Sequence, residues 1–252
     1  MRDRLASCAP AFNVFGDGPR FLQDLEDLDG APNPPEMLFI DSAGANAARN
    51  NADLMVHRGR YAALGPALAA MALYTFQAHA PAGGAGMRTS MRGGGPMATL
   101  IDPGLGLWSL VWAYVPDGHP GDPSTLPWMN PTRTSEKNGS ERYPVQGTEA
   151  EAFFGMPRRL RLVEEDGLVT GVVQRPYGVN YADWVHPLTP YYRMKEGAEP
   201  LPKHPKPGPL GYRNWLRVVV QDYEGRLTET ARSLRLWDQR SDGAQAHLIV
   251  AG

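Results

Sequence analysis

Cysteine is nearly missing from this chain of 252 residues: Cys8 stands alone. An internal disulfide and a cysteine-rich zinc site are both excluded, and a reducing compartment fits. A lone cysteine of this kind reads first as a small buried residue and second as a nucleophile. The usual catalytic signatures are missing too. The six histidines, at positions 57, 79, 119, 186, 204 and 247, are scattered, with no His-Glu-x-x-His and no pair at helical spacing. There is no phosphate-binding Gly-Lys-Ser/Thr, no dinucleotide fingerprint in a strand–turn–helix setting and no Gly-x-Ser-x-Gly elbow. Carboxylates are plentiful, but no spacing marks a working pair. An enzyme, a metal or a cofactor therefore finds no support. Excess charge of either sign is lacking: 25 Lys and Arg face 27 Asp and Glu, and the pI is near 6.3. Bulk positive charge is thus not available to hold nucleic acid, and any such contact must use local patches. Long apolar runs are absent as well. Residues 62–80 and 100–115 are broken by Gly, Pro, Gln or Ser, and 1–11 have no apolar stretch of signal-peptide length. A membrane partner is not expected.

Glycine and proline are abundant, at 28 and 24, which predicts short elements and much loop. With 42% hydrophobic residues a packed core is feasible. The expected architecture is α+β: one irregular, loop-rich domain over 1–252 with buried helices, short mixed sheets and β-hairpins. Its organising stretch is Ala82-Gly83-Gly84-Ala85-Gly86-Met87-Arg88-Thr89-Ser90-Met91-Arg92-Gly93-Gly94-Gly95-Pro96. Two glycine clusters bracket two arginines. Bare backbone can approach another surface closely, and arginine adds a planar fork of donors. That combination suits a phosphate chain or a groove edge; a mobile surface loop is the plain alternative.

Along the chain, 37–40 reads as a short strand and 42–57 as a polar loop of small residues, Asn and Gly. Leu54-Met55-Val56 is unusually apolar for such a loop. Two readings stay open: a tip inserted into another surface, or one packed on this domain's own core. Pro66 to His79 predicts a helix with proline in its first turn, apolar on most sides and therefore buried. Residues 99–115 read as mostly buried and helical from about Leu105. Residues 117–150 form a polar, flexible insertion, mobile around Ser135–Arg142 and anchored through Trp128. Leu160 and Leu162 alternate with Arg159 and Arg161, and Asp166-Gly167 predicts a hairpin turn. The Arg158/Arg159/Arg161 cluster reads as a solvated strand face or as a phosphate contact, with Arg175 at the hairpin's end. Five prolines in 199–211 impose extended or turning chain. Tyr212–Val220 returns to regular structure with Trp215 as a core candidate. Ser233–Trp237 and Ala246–Val250 predict two strands joined at Asp242-Gly243, an ending that resembles a truncation or an interface.

Four ordered segments carry a family resemblance. They are Pro19-Arg20-Phe21-Leu22-Gln23; Asn50-Asn51-Ala52-Asp53-Leu54-Met55-Val56-His57; the Gly83–Gly95 region; and Trp184-Val185-His186-Pro187-Leu188-Thr189-Pro190 followed by Gly211-Tyr212-Arg213-Asn214-Trp215. In order and spacing the chain resembles, along nearly its whole length, the CasA family of large subunits of the type I-E CRISPR surveillance complex Cascade. The resemblance implies a non-enzymatic subunit that recognises the short motif beside the target (the PAM) in double-stranded DNA and starts strand separation. It implies that Asn50, Asn51, Leu54, Met55, Val56 and His57 pack on the 5′ handle of the guide RNA and a neighbouring Cascade subunit. It places Gly83, Gly84, Ala85 and Gly86, with Arg88, Arg92 and Arg175, at the minor groove of the PAM duplex. A hairpin wedge falls at about Arg235-Leu236, with Gln239 as an alternative. A recruited helicase-nuclease is the further partner, for which the subunit offers a landing surface.

Departures from the family pattern accompany the likeness. Ala85 stands where glycine is usual, and Leu236 where glutamine is typical of the wedge. The cysteine-rich insertion of some members is lacking. The resemblance also implies that the chain starts inside the family's N-terminal region and lacks its C-terminal helical bundle. Two other readings remain at this point: a nucleotide- or phosphate-binding enzyme using Gly83–Arg92 as an anion cradle, and a purely structural scaffold.

Overall fold

The computed structural model describes residues 2–251 apart from 40, 116–117, 119–120, 207, 210, 216–217, 220–226 and 243. In chain order the described elements are α1 (Arg2–Ala6), α2 (Ala45–Arg49), α3 (Pro66–Ala78), β1 (Ala98–Asp102), α4 (Leu107–Tyr114), β2 (Glu141–Arg142), β3 (Arg159–Glu165), β4 (Leu168–Arg175), β5 (Asn180–Tyr181), β6 (Tyr191–Tyr192), β7 (Leu201–Pro202), α5 (Tyr212–Trp215), β8 (Thr228–Glu229), α6 (Arg232–Arg240) and β9 (His247–Ala251), with short 3₁₀ turns between them. The strands form four small sheets, β1-β9, β2-β5, β3-β4 and β7-β6-β8; only β2-β5 is parallel. The protein is a mixed α+β fold rich in loops, as its glycine and proline content predicts.

The β3–β4 hairpin is the spine. Asp166 and Gly167 take φ of 51° and 77°, the left-handed pair that a tight hairpin turn requires. The Gly167 amide donates to the Glu164 carboxylate at 2.7 Å. Alternation puts Leu160 and Leu162 on the inner face with Val169 and Val172 opposite, all four buried. A bulge between Val163 and Glu164 adds twist, and isolated bridges join Val169 to Leu64 and Val172 to Asn33.

Onto this face packs α3, starting at Pro66 as its sequence predicts and burying Ala69, Ala72 and Leu73; Leu68 and Met71 are exposed on its outer side. Trp128 closes the other side. It is fully buried and donates its indole N–H to the Ala11 carbonyl. Phe21 and Phe154 meet it edge-on at 5.1 and 5.5 Å, favourable quadrupole geometry. Two buried glutamines fasten the layers. Gln77 of α3 donates to the Leu22 and Arg158 carbonyls and accepts from the Arg158 amide. Gln23 donates to the Val14 carbonyl and accepts from the Leu162 amide of β3. Each of these bonds ties one chain segment to another, so the two amides specify register as well as depth.

Several expectations are corrected. Residues 35–38 form a 3₁₀ turn in place of the strand expected at 37–40, and residue 40 lies outside the described residues. Only 107–114 of the stretch 99–115 is helical, and α4 is far from buried. Leu105, Leu107, Trp108, Val111, Trp112 and Val115 are all exposed, and Ala113 is the helix's one buried residue. Ser135–Arg142, expected to be mobile, is tied down: Ser135 is buried, Ser140 donates back to it, and β2 pairs with β5. The arginine cluster is not a solvated strand face. Arg158 is buried, Arg159 pairs with buried Asp24 at 2.6 Å, and Arg161 donates to the Asp24 carbonyl and pairs with Asp27. Trp215 is 52% exposed on α5, outside the core; of the Tyr212–Val220 stretch, 216–217 and 220 lie outside the described residues. Ser233–Trp237 is helical within α6, while 247–251 forms the expected strand and pairs with β1. Over five residues apolar alternation and a helical stripe look alike, and the Ser-Leu-Arg-Leu-Trp run carries both. The Asp242-Gly243 joint includes residue 243, outside the described residues.

Candidate nucleic-acid interface

The glycine–arginine stretch follows α3 and divides into two parts with different jobs. Gly83 and Met87 bridge across a tight turn whose tip, Gly83 to Ala85, is exposed. The turn is docked on the end of the hairpin: the Tyr177 amide donates to the Gly86 carbonyl at 2.7 Å. Gly86 sits at φ 80°, and an added Cβ there would lie 2.7 Å from the Tyr177 ring. Glycine is required at that position by both conformation and contact. Ala85 is at the tip itself, where a methyl is accommodated in solvent. Exposed Arg175, last residue of β4, stands two residues before Tyr177. The turn therefore docks at the end of β4, on the Pro176–Tyr177 stretch that directly follows Arg175.

The two arginines inside the stretch are engaged by the protein itself, Arg88 half-buried and Arg92 buried. Arg88 donates to the Ser135 hydroxyl at 2.8 Å and the Glu136 carbonyl at 3.1 Å, and its guanidinium lies 5.8 Å from the Tyr177 ring centre. It braces the turn against the segment around Ser135. Arg92 is 4% exposed; it donates to the Thr189 hydroxyl at 3.0 Å and contacts His79 Nε2 at 3.0 Å. A side chain so placed does not reach a DNA groove, which corrects the expectation for Arg92. Because arginine only donates, His79 accepts at Nε2 and keeps its proton on Nδ1. Burial, then the Arg92 charge, pulls the His79 pKa down to about 4. The second glycine cluster is architectural. At Gly94, with φ 68°, an added Cβ would meet the Pro81 backbone at 2.8 Å. The chain crosses itself there. Arg88 and Arg92 are turned to protein partners, so neither stands free at the exposed tip of the turn as the anion-cradle reading would have it.

The Asn50–His57 loop has a rigid frame and a bare tip. Arg58 grips Asp53 with two donors at 2.5 and 2.6 Å and also reaches the Ala48 carbonyl and the Asn51 side chain. Asn51 adopts φ 49°, which asparagine tolerates better than most residues. On this frame Leu54 and Met55 are 90% and 97% exposed. The tip does not pack on the domain's own core, which removes one of the two readings left open by the sequence. Val56 is half-buried and His57 exposed.

The wedge candidates sit on α6, not on a hairpin. The Ser233 amide at its start donates to the Pro187 carbonyl at 3.1 Å, and Arg232 approaches Glu149 at 3.7 Å. Arg235 and Leu236 are half-buried, and Arg235 lines a cavity of about 370 Å³ beside Trp184. Gln239 is exposed. Arg58, which makes the loop frame, is missing from the residues expected to matter, although an Asp at five residues' remove signals such a clamp. Among the described residues no three His, Cys, Asp or Glu gather as a metal would need, and no helix is long and apolar enough to cross a membrane.

Comparison with known proteins adds a family. A profile of CRISPR-associated protein Cse1 matches residues 1–252. Solved structures match over the whole chain at low identity. A crystal structure of Thermus thermophilus CasA gives a TM-score of 0.67 at 20% identity, covering 100% of this chain and 51% of that one. A crystal structure of a CRISPR-associated protein from Thermus thermophilus gives 0.65 at 19%, covering 100% and 52%. A further structure, of Thermus thermophilus CasA (Cse1), gives 0.64 at 19%, covering 99% and 52%. The chain thus spans about half the length of these structures and shares their fold. A comparison with curated proteins gave no significant match.

Proposed function

This chain belongs to the family of CRISPR-associated protein Cse1, and we propose that it serves as the CasA-type subunit of a type I-E Cascade complex, recognising the PAM in target DNA and starting its unwinding. The observation that carries the proposal is the docked pair: an exposed glycine turn held against Tyr177, with exposed Arg175 beside it. The minor groove is narrow and its donor–acceptor code degenerate. A turn without side chains plus one cation fits such a groove, and reads it through width and a few polar contacts. Arg88 and Arg92 serve in this reading as braces that aim the turn. Guide-RNA pairing supplies the rest of the sequence specificity.

The Leu54–Met55 tip attaches the subunit to the complex, on the guide RNA's 5′ handle and the adjoining subunit, with Asn50, Asn51, Val56 and His57 around it. Strand parting is assigned to α6, where Gln239 is exposed and Arg235 and Leu236 support it. DNA cleavage belongs to a recruited helicase-nuclease, for which this subunit is the landing surface, and the chain itself performs no catalysis.

The experiment is duplex binding by the assembled, guide-loaded complex carrying Arg175→Ala. Loss of PAM-dependent binding with assembly intact is expected. Unchanged binding would make the subunit a scaffold and overturn the reading.

A further inference from the structure

A cavity of about 560 Å³ opens between residues 33–39 and 42–44, the foot of the Asn50–His57 loop, the last turns of α3 and the hairpin. That volume is in the range of small-molecule sites and far beyond a single water. Its most unusual lining residue is Arg158. The residue is 5% exposed, yet no carboxylate pairs with it among the described residues. One terminal nitrogen donates to the Pro81 carbonyl, and Nε is buried with no partner. Burial alone pulls its pKa below the usual arginine range, with no acid to offset it. Its guanidinium lies 5.8 Å from the Phe76 ring centre, a weaker compensation than an ion pair, and an anion would offset the remaining cost of burial.

The other charges on the wall are spoken for. Glu36 accepts from the Gly59 and Arg60 amides at 3.1 and 2.8 Å, and Arg58 is held by Asp53. Gln174 also lines the space, and its Nε2 is buried without an acceptor. Around these two unsatisfied donors the wall is flat and apolar: Phe39, stacked on Tyr61 at 4.7 Å, with Met37 and Phe76.

We propose that this cavity binds a nucleotide, its phosphate on Arg158, its base against Phe39, and a base acceptor atom on the Gln174 amide. The same chemistry is offered by a free mononucleotide and by the terminal nucleotide of a single strand. The Arg158 guanidinium borders Gly83 of the turn, but a titration with nucleotides and no duplex reads this site apart from PAM recognition.

Calorimetric titration of the 252-residue chain tests it, using the four ribonucleoside 5′-monophosphates, the matching nucleosides, inorganic phosphate and a 5′-phosphorylated trinucleotide. At least one monophosphate is expected to bind about tenfold to a hundredfold more tightly than its nucleoside, the worth of a charge-assisted hydrogen bond to a buried guanidinium. Phosphate alone binds more weakly still. Arg158→Met removes the preference for the phosphate. Because Arg158 also bonds Pro81, a second variant, Ala43→Trp, blocks the cavity wall without touching Arg158 and is expected to abolish binding with an unchanged melting temperature. Competition by the trinucleotide assigns the site to strand ends, and its failure to compete assigns the site to free nucleotides. No heat with any monophosphate at millimolar concentration overturns the proposal. So does binding that survives both variants, or phosphate binding as tight as that of the nucleotides.

Discussion

Residue by residue, the sharpest constraints lie where the chain turns back on itself. Gly86 and Gly84 both have positive φ, at 80° and 51°, but only Gly86 has Tyr177 against it. Gly84→Ala should cost about 1 kcal/mol, the left-handed penalty alone. Gly86→Ala should cost at least about 2–3 kcal/mol, because a methyl is driven into a packed ring as well. Equal losses in chemical denaturation would contradict the docked turn. His79 makes a second prediction. Its folded pKa, about 4, lies below the ordinary 6.5, so the unfolded chain takes up a proton first as the solution is acidified. The contribution to stability is complete above pH 6.5 and is lost progressively as pH falls from 6.5 toward 4. His186, buried and pulled down for the same reason, adds to the slope. Melting temperatures from about pH 7 to pH 4 should fall more gently for His79→Gln than for the unaltered chain; parallel curves would refute the buried neutral imidazole.

Among elements, the hairpin, α3 and the Trp128 plug form the core, and each was legible for a physical reason. Asp-Gly between alternating runs has almost one solution, and proline ahead of an apolar 3.6 period has few. Trp128→Ala should cost about 3–5 kcal/mol, as for other fully buried tryptophans, and urea unfolding measures it. What misled lay in short or context-bound segments. The 233–237 run fits both periodicities, and only its packing against β1 and the 187 region fixes a helix. The apolar 105–115 run announces burial by composition, but α4 exposes most of it within this chain. The arginines of β3 look solvated because their partners, Asp24 and Asp27, lie more than 130 residues away in sequence. The candidate interface was half legible. Glycine and arginine marked the stretch, but sequence alone could not show that Arg88 and Arg92 are held by protein partners while Arg175 is exposed.

For the whole molecule, three features of the described surface are laid out separately: the glycine turn with Arg175, the apolar loop tip and α6. In the proposed reading the tip is an attachment device. Leu54→Ser with Met55→Ser should change stability by no more than about 0.5 kcal/mol, as for other surface changes, while the chain no longer co-purifies with a guide-loaded complex. Retained assembly would place the attachment elsewhere. Above all, this subunit is held to read the flank of the target. The decisive experiment is selection of bound duplexes from a pool with a randomised segment beside the protospacer, by a guide-loaded Cascade core with and without this chain. Enrichment of a small set of flanks only when the chain is present, lost in Arg175→Ala, is the expected outcome; a chain that joins the complex and leaves the pool unselected would refute it.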